Sequence, residues 1–429
     1  MGVNQKGFAI LNSASTDLPK DSVGMGNGSL SRYALGTCAT IPDFIHLLDS
    51  TNQTGRQTRG NFGVIDSTGG AAIFEVAGHQ YWKYNANDPV QAPHGYVIRT
   101  NFAFHGGGHG GIERFNRSVS LISSFVAGDS LNYRTVLRHQ MRDFSDTLSL
   151  PVPVPYPGYW LPGIPLGYIY TYVSICRCTS VSAAVIHGIQ PGEKATLSTM
   201  WAMLGQPAGA IAVPYWPVGQ TPPAANGNST APLCDVARQI KSRLFDYQAD
   251  DDYIDTYKLL DGTGGGLWTH TFPAEDSIFT ATDSLMLIWR TTPPTTQEML
   301  AAEYGFANHV LAVLQKEYNR LVPISPAQPG TPLPESFTLS QNYPNPFNPT
   351  TAIRIQLPYP ARISLDIFDL QGRKIATLAG GKFPAGEHEL TWKARHFASG
   401  IYLYRLEAVY RQAGILKHFR QTRKLTLLK

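Results

Sequence analysis

The residues of this chain best suited to chemistry lie between Gly60 and Arg117. Asn101 follows the β-branched and aromatic run Tyr96-Val97-Ile98-Arg99-Thr100, which reads as a strand ending in a polar pair. A side-chain amide held at the rim of a sheet is a good donor to a developing oxyanion, because backbone pairing fixes its direction before substrate arrives. The same residue could simply close a strand into a turn. His105 and His109 flank a run of glycines and could ligate a metal. A flexible loop without a nearby carboxylate or cysteine is poorly preorganised for that, so no metal and no cofactor are expected. Arg114 and Arg117 open a predicted helix, either as surface cations or as groups of a site. Asp250, Asp251, Asp252 and Asp255 could hold calcium but lack the glycine and glutamate spacing of a known loop, and a solvated helix edge is the preferred reading.

Several elements must position these groups. Gly60 to Ile65 and Ala71 to Val76, joined by Asp66-Ser67-Thr68-Gly69-Gly70, predict a hairpin leading to the strand that ends at Asn101. Ser31 to Leu48 has helical apolar spacing divided by Pro42, and Gln297 to Leu321 a longer helical pattern. Pro151 to Tyr172 is too rich in proline for one regular element and reads as a long loop. Its Tyr159 and Trp160 could wall a substrate pocket or pack on the domain surface. A β-rich pattern returns from Tyr172 to Ile189, which would put Cys176 and Cys178 on one strand face. Cys38 and Cys234 read as core residues of helical stretches. After the proline-rich linker 322–334, short alternating runs from Ile353 to Leu406 predict a small β-sandwich, with Gln371-Gly372 as a tight turn.

With 429 residues, 43% of them hydrophobic and 15% charged, the chain can bury at least one large core. A net charge of +4, dispersed along the sequence, argues against a nucleic-acid surface. No apolar run is long enough for a transmembrane segment. Met1-Gly2-Val3-Asn4 lacks the basic start and apolar core of a secretory signal.

Two resemblances sharpen this reading. Gly2-Val3-Asn4-Gln5-Lys6-Gly7-Phe8, then Asp66-Ser67-Thr68-Gly69, Glu75 and Thr100-Asn101, resemble the N-terminal nucleophile (Ntn) hydrolases, nearest their choloylglycine hydrolase, penicillin V acylase and isopenicillin N acyltransferase branches. Arg114-Phe115-Asn116-Arg117 resembles the Arg-Phe-x-Arg element of choloylglycine hydrolases, and Trp201 to Pro207 a late element of acyltransferase-like domains. The resemblance implies an α+β protein, an Ntn αββα sandwich that is incomplete at its N-terminus, over residues 1–321. It implies Asn101 as oxyanion donor, with backbone amides near Ala9 to Ser13 and the Asn12 side chain beside it. Arg117 would orient nucleophile or substrate, with Arg114 as the fallback, and Asn4 would join the substrate site.

The family's nucleophile is a cysteine at the start of the mature chain, whose own α-amine activates the thiol. An internal Cys38 or Cys234 has no such amine, so the nucleophile is expected upstream of Gly2, lost with a signal peptide by truncation. Gly128-Asp129-Ser130-Leu131 also spells a serine-esterase block, but behind a predicted helix instead of a first strand, and is set aside. Asn342-Tyr343-Pro344-Asn345-Pro346-Phe347-Asn348-Pro349, Ile367 to Arg373 and Ala398 to Tyr402 resemble the C-terminal sorting domain of type IX secretion cargo, over residues 335–429. The combined expectation is a secreted or cell-surface enzyme acting on a small-molecule amide or acyl substrate, carried by the type IX machinery. The alternative is a catalytically dead Ntn fold that binds a ligand at the surface.

Overall fold

The computed structural model describes residues 1–145, 151–158, 160–161, 164–227, 231–247, 250–261, 265–321, 334–359, 361–383, 385–412 and 415–428. Tyr159 and all of the predicted linker except Pro334 lie outside the described residues. The chain forms two compact units. The first comprises residues 1–152, 171–238 and 273–312, the second residues 153–170, 239–272 and 313–429.

The first unit begins with an antiparallel sheet of β1 (Gly2–Val3), β2 (Ala9–Ala14), β3 (Gly60–Ile65), β4 (Ala71–Val76) and β5 (Tyr81–Asn85), adjacent in sequence order. The predicted β3–β4 hairpin is present, its turn closed by Asp66, which accepts from Thr68 N at 2.9 Å and Gly70 N at 3.1 Å. Between β2 and β3 the chain makes α1 (Asn27–Thr37) and α2 (Ile41–Thr54). Pro42 divides them as its chemistry requires. It sits in the first turn of α2, where an N–H would have no helical partner, while Thr40 and Asp43 cap that turn reciprocally. Phe8, Phe44, Phe62 and Phe74 bury the sheet face beneath these helices, with Phe44 edge-on to Phe74 at 5.1 Å.

On the other face lies a second antiparallel sheet of β7 (Ser182–His187), β8 (Thr199–Leu204) and β9 (Val213–Tyr215). Its Ile186 lines a gap of about 200 Å³ with Leu11, Gly63, Ile65 and Ile73. Trp201 of β8 points away from that gap, stacked on Tyr133 at 4.8 Å and edge-on to Phe279 at 5.1 Å. Phe279 belongs to α6 (Leu267–Thr291), which α7 (Thr296–Leu321) follows. The order helix, sheet, sheet, helix is the α+β sandwich expected. The short α4 (Tyr133–Thr135) follows α3 (Ile112–Ala127), and α5 (Pro232–Leu244) precedes the sixth helix.

Four local expectations fail. Asp251 and Asp252 form a turn and Asp255 ends the strand Tyr253–Asp255, fully buried, so the acidic run is no solvated helix edge. Tyr96 to Thr100 pairs with no strand. Cys176 and Cys178 lie in buried turns ahead of β7, because the β-rich pattern from Tyr172 makes strand only from Ser182 onward. Cys234 is exposed on α5, its helical spacing being compatible with either face.

In the second unit, β6 (Tyr168–Tyr170) pairs with β10 (Tyr253–Asp255). The predicted sandwich follows. One sheet holds β11 (Thr338–Leu339), β12 (Thr350–Leu357) and β15 (Gly386–Lys393). The other runs β14 (Lys374–Phe383), β13 (Ala361–Phe368), β16 (Gly400–Gln412) and β17 (Ile415–Leu427). Alternation buries Ile353, Ile355 and Leu357 against Ile363, Leu365 and Ile367, with Trp392 and Tyr404 filling the core. Gly372 adopts φ +80° in the tight turn read from Gln371-Gly372. No helix among the described residues is long and apolar enough to cross a membrane.

One buried ion pair ties α6 to the loop between β8 and β9. Arg142 donates to Glu275 Oε1 and Oε2 at 2.8 and 2.9 Å and to the Pro207 and Ala210 carbonyls, while Ala212 N reaches Glu275 Oε1 at 2.9 Å. Burial opposes ionisation of Glu275, but Arg142 holds its carboxyl below the usual range. Glu275→Gln removes the charge that Arg142 needs, and should lower unfolding free energy by about 3–5 kcal/mol in urea titration.

Candidate active site

Among the described residues, 99–108 have no sheet partner, and side chains bond much of their backbone. Asn61, 2% exposed on β3, donates from Nδ2 to the Thr100 and Phe102 carbonyls, each at 2.9 Å, and Ser13 Oγ also donates to Thr100 O. Asp17 accepts from Ala103 N at 3.1 Å and Gly108 N at 2.9 Å. Glu75, fully buried in β4, accepts from Arg99 Nε at 2.7 Å, Phe104 N at 2.9 Å and His105 N at 3.1 Å. Burial pushes the Glu75 carboxyl up, but bonds from Phe104, His105 and Arg99 outweigh it and leave the group below the ordinary range. The glycines that follow allow close approach: a Cβ on Gly110 would sit 2.8 Å from Asn101 O, and one on Gly106 2.5 Å from Asp17 Cγ.

This framework presents Asn101, half-buried. Its Nδ2 donates to Ala14 O, at the end of β2, at 3.0 Å, and its Oδ1 accepts from Arg114 Nη2 at 2.7 Å. An amide nitrogen carries two hydrogens, so one N–H of Asn101 remains for another acceptor. Asn12 lies on the same strand opposite Phe62, on the face beneath the helices, whereas Ser13 and Asn61, which hold the Asn101 segment, project from the other face, so its side chain is directed away from Asn101. Arg114 is lowered from its usual value by burial and then by the Arg177 cation, which makes the surroundings of Asn101 electropositive. An oriented donor beside cationic groups can stabilise a developing oxyanion or hold a carboxylate.

The remaining predicted residues are placed elsewhere. Arg117, one turn beyond Arg114 on α3, is 4% exposed and forks onto Asp143 at 2.9 and 2.7 Å. Asn4 donates to the Leu35 and Cys38 carbonyls and accepts from Lys6 N and Phe8 N, so its amide organises the β1–β2 turn. Trp160 belongs to the second unit, packed on Tyr156 at 5.6 Å. His105 Nδ1 faces Glu75 at 2.9 Å and the Tyr84 hydroxyl at 3.0 Å, while its ring stacks on Trp82 at 4.3 Å. Ser130 Oγ donates to Phe125 O behind α3, which binds the esterase-like serine into a helix end.

Cys38, Cys176 and Cys234 are held in the thiol form. Burial raises the Cys38 thiol and pushes Cys176 up to about 12, and partial burial raises Cys234. Sequence reasoning missed Asn61, Asp17 and the roles of Glu75 and Glu303. A charge inside the apolar run Ala71 to Val76 is the signal that could have found Glu75. Glu303 lies within the regular pattern of α7, fully buried beside a cavity of about 310 Å³. Its Oε1 accepts from Trp216 N at 2.6 Å.

Residues 1–119 match the family model described as acyl-coenzyme A:6-aminopenicillanic acid acyl-transferase, and residues 341–414 match that of a secretion system C-terminal sorting domain. Among curated proteins, none matches the chain.

Burial pushes Glu303 up to about 7 from an ordinary value of 4.5. The folded state therefore holds a proton that the unfolded state releases. Its contribution to stability is whole below about pH 4.5 and is lost as pH rises through about 7, by up to about 3 kcal/mol. Urea midpoints at pH 5 and 8 should show this fall, and Glu303→Gln should remove it. For Asn61→Ala, two backbone carbonyls lose a buried partner, and a loss of about 1–3 kcal/mol is expected, with faster amide exchange at residues 103–108.

Proposed function

We propose, from the premise that this chain carries an Ntn-hydrolase/acyltransferase family domain at its N-terminus and a type IX secretion sorting domain at its C-terminus, that it cleaves or transfers linear amide bonds through an acyl-enzyme. The sorting domain makes it a secreted or cell-surface protein. In this reading residues 1–321 form the catalytic domain, 322–334 the linker and 335–429 the sorting domain.

The observation that carries the reading is the Asn101 amide, oriented by Ala14 O and Arg114 with one N–H to offer. The substrate carbonyl would lie against that N–H, and the oxyanion would develop beside Asn101 at the end of β2. Arg114 fixes the amide's orientation, and Arg117, paired with Asp143, fixes the helix that carries Arg114. The attacking thiol would come from a cysteine upstream of Gly2, because an internal cysteine has no α-amine of its own to activate it. Attack by that thiolate on the carbonyl carbon expels the amine, which takes a proton from the α-ammonium. Water or a second amine then releases the acyl group. Water as acceptor gives hydrolysis, an amine gives transfer.

The test uses protein recovered from the surface of its producing cells. N-terminal mass spectrometry should reveal a leading cysteine, and a panel of linear amides should leave an acyl adduct on it. Asn101→Ala in that protein should lower kcat by about 10²–10³-fold with little change in urea midpoint. Turnover unchanged by the substitution removes Asn101 from the site. Absence of both the cysteine and the adduct leaves a ligand-binding fold.

A further inference from the structure

The second unit contains a buried charged cluster that acyl transfer leaves unused. Ile363, Leu365 and Ile367 of β13 face the sandwich core, so Arg362 projects from the opposite face of the sheet. There it meets the β6–β10 ladder, in which Tyr168 and Asp255 are directly paired. The guanidinium carbon lies 3.4 Å from the centre of the Tyr168 ring, Nη1 donates to the Tyr168 hydroxyl, and Nη2 donates to Asp255 Oδ2 at 3.1 Å. Tyr168 and Asp255 are fully buried. Around them, the Tyr168 hydroxyl donates to Asp246, and Lys258 Nζ stands 2.9 Å from Asp246 and 3.7 Å from Asp255.

Charge balance gives the cluster its meaning. With both Asp246 and Asp255 ionised, Lys258 balances only one of them, and Arg362 is the cation left to balance the other. Burial already pushes the Asp255 carboxyl up, with Arg362 and Lys258 acting against that rise. A planar cation that stacks and forks suits this site better than an ammonium. Apolar packing is a weaker candidate for holding the sandwich here. A cavity of about 720 Å³ opens beside Arg362, lined by Trp160, Leu161, Ile164, Val409 and Phe419, and a gap of that size forfeits dispersion contacts. Lys374 Nζ, 3.2 Å from the Tyr257 hydroxyl, adds one more polar contact.

We propose that Tyr168, Asp246, Asp255 and Lys258 form a guanidinium socket that holds the C-terminal sandwich by Arg362, so that the sandwich stays bound after the connection through residues 322–334 is cut. The partner of this surface is the chain's own tail, and backbone cleavage alone does not free it.

The test is made on the full chain with a specific protease site placed within residues 323–333 and cut under native conditions. Wild-type fragments should co-elute in gel filtration at micromolar concentration. Arg362→Ala should weaken their association about 30-fold or more while the uncut chain keeps its circular dichroism spectrum. Arg362→Lys keeps the charge but loses the fork and the stack, and should also weaken it. Asp255→Asn tests the socket from the other side, so the outcome does not hang on the folding of one variant. Separation of the cut wild-type fragments overturns the proposal, as does undiminished association of both Arg362→Ala and Asp255→Asn.

Discussion

The first unit depends on a substitution of one kind of hydrogen bond for another. Among the described residues, 99–108 have no neighbouring strand, and the Thr100 and Phe102 carbonyls and the amides of residues 103, 104, 105 and 108 are taken up by Asn61, Asp17 and Glu75, together with Ser13. A ladder would give this segment a regular pleat and turn successive side chains to opposite faces. Side-chain anchors impose no pleat, so Asn101 can point along the sheet rim toward Ala14 while Arg99 folds back to Glu75. The anchors are themselves placed by regular structure. Asn61 and Glu75 face each other across β3 and β4, and Ser13 faces Asn61 across β2 and β3. An irregular segment thus inherits the precision of the sheet without belonging to it.

Such an arrangement sets what a sequence can and cannot reveal. The β3–β4 hairpin, the break at Pro42, α3, α7 and the sandwich strands were legible because each rests on local rules: turn chemistry, proline's missing donor and hydrophobic period. Tyr96 to Thr100 has a strand's composition, yet composition does not say who will accept its hydrogen bonds. Asn61 and Asp17 were invisible for the same reason, since their roles exist only across sequence separations of about 40 and 90 residues. Arg114 and Arg117 share one face of α3 at helical spacing, and only the positions of Asn101 and Asp143 decide which of them meets which partner.

Within the first unit, buried carboxyls are managed by two routes. Around Arg142 and Glu275 the pair is closed by backbone carbonyls and amides, so loop and helix are fixed to each other. Among the described residues Glu303 has one backbone donor and no cation beside it, and burial pushes its carboxyl up to about 7. At Glu275 the guanidinium outweighs burial, and at Glu303 burial prevails.

The thiols bear on the chain's life outside the cell. Disulfide exchange needs a thiolate that can reach another sulfur. Cys38, Cys176 and Cys178 are shut inside the fold, where burial disfavours the thiolate of Cys38 and Cys176, and are inert to that exchange for as long as the protein stays folded. Cys234 alone faces solvent. In oxidising surroundings the folded chain can therefore form a mixed disulfide or a cross-linked pair at a single place on α5, and scrambling at the other three sulfurs becomes a chemical report of unfolding.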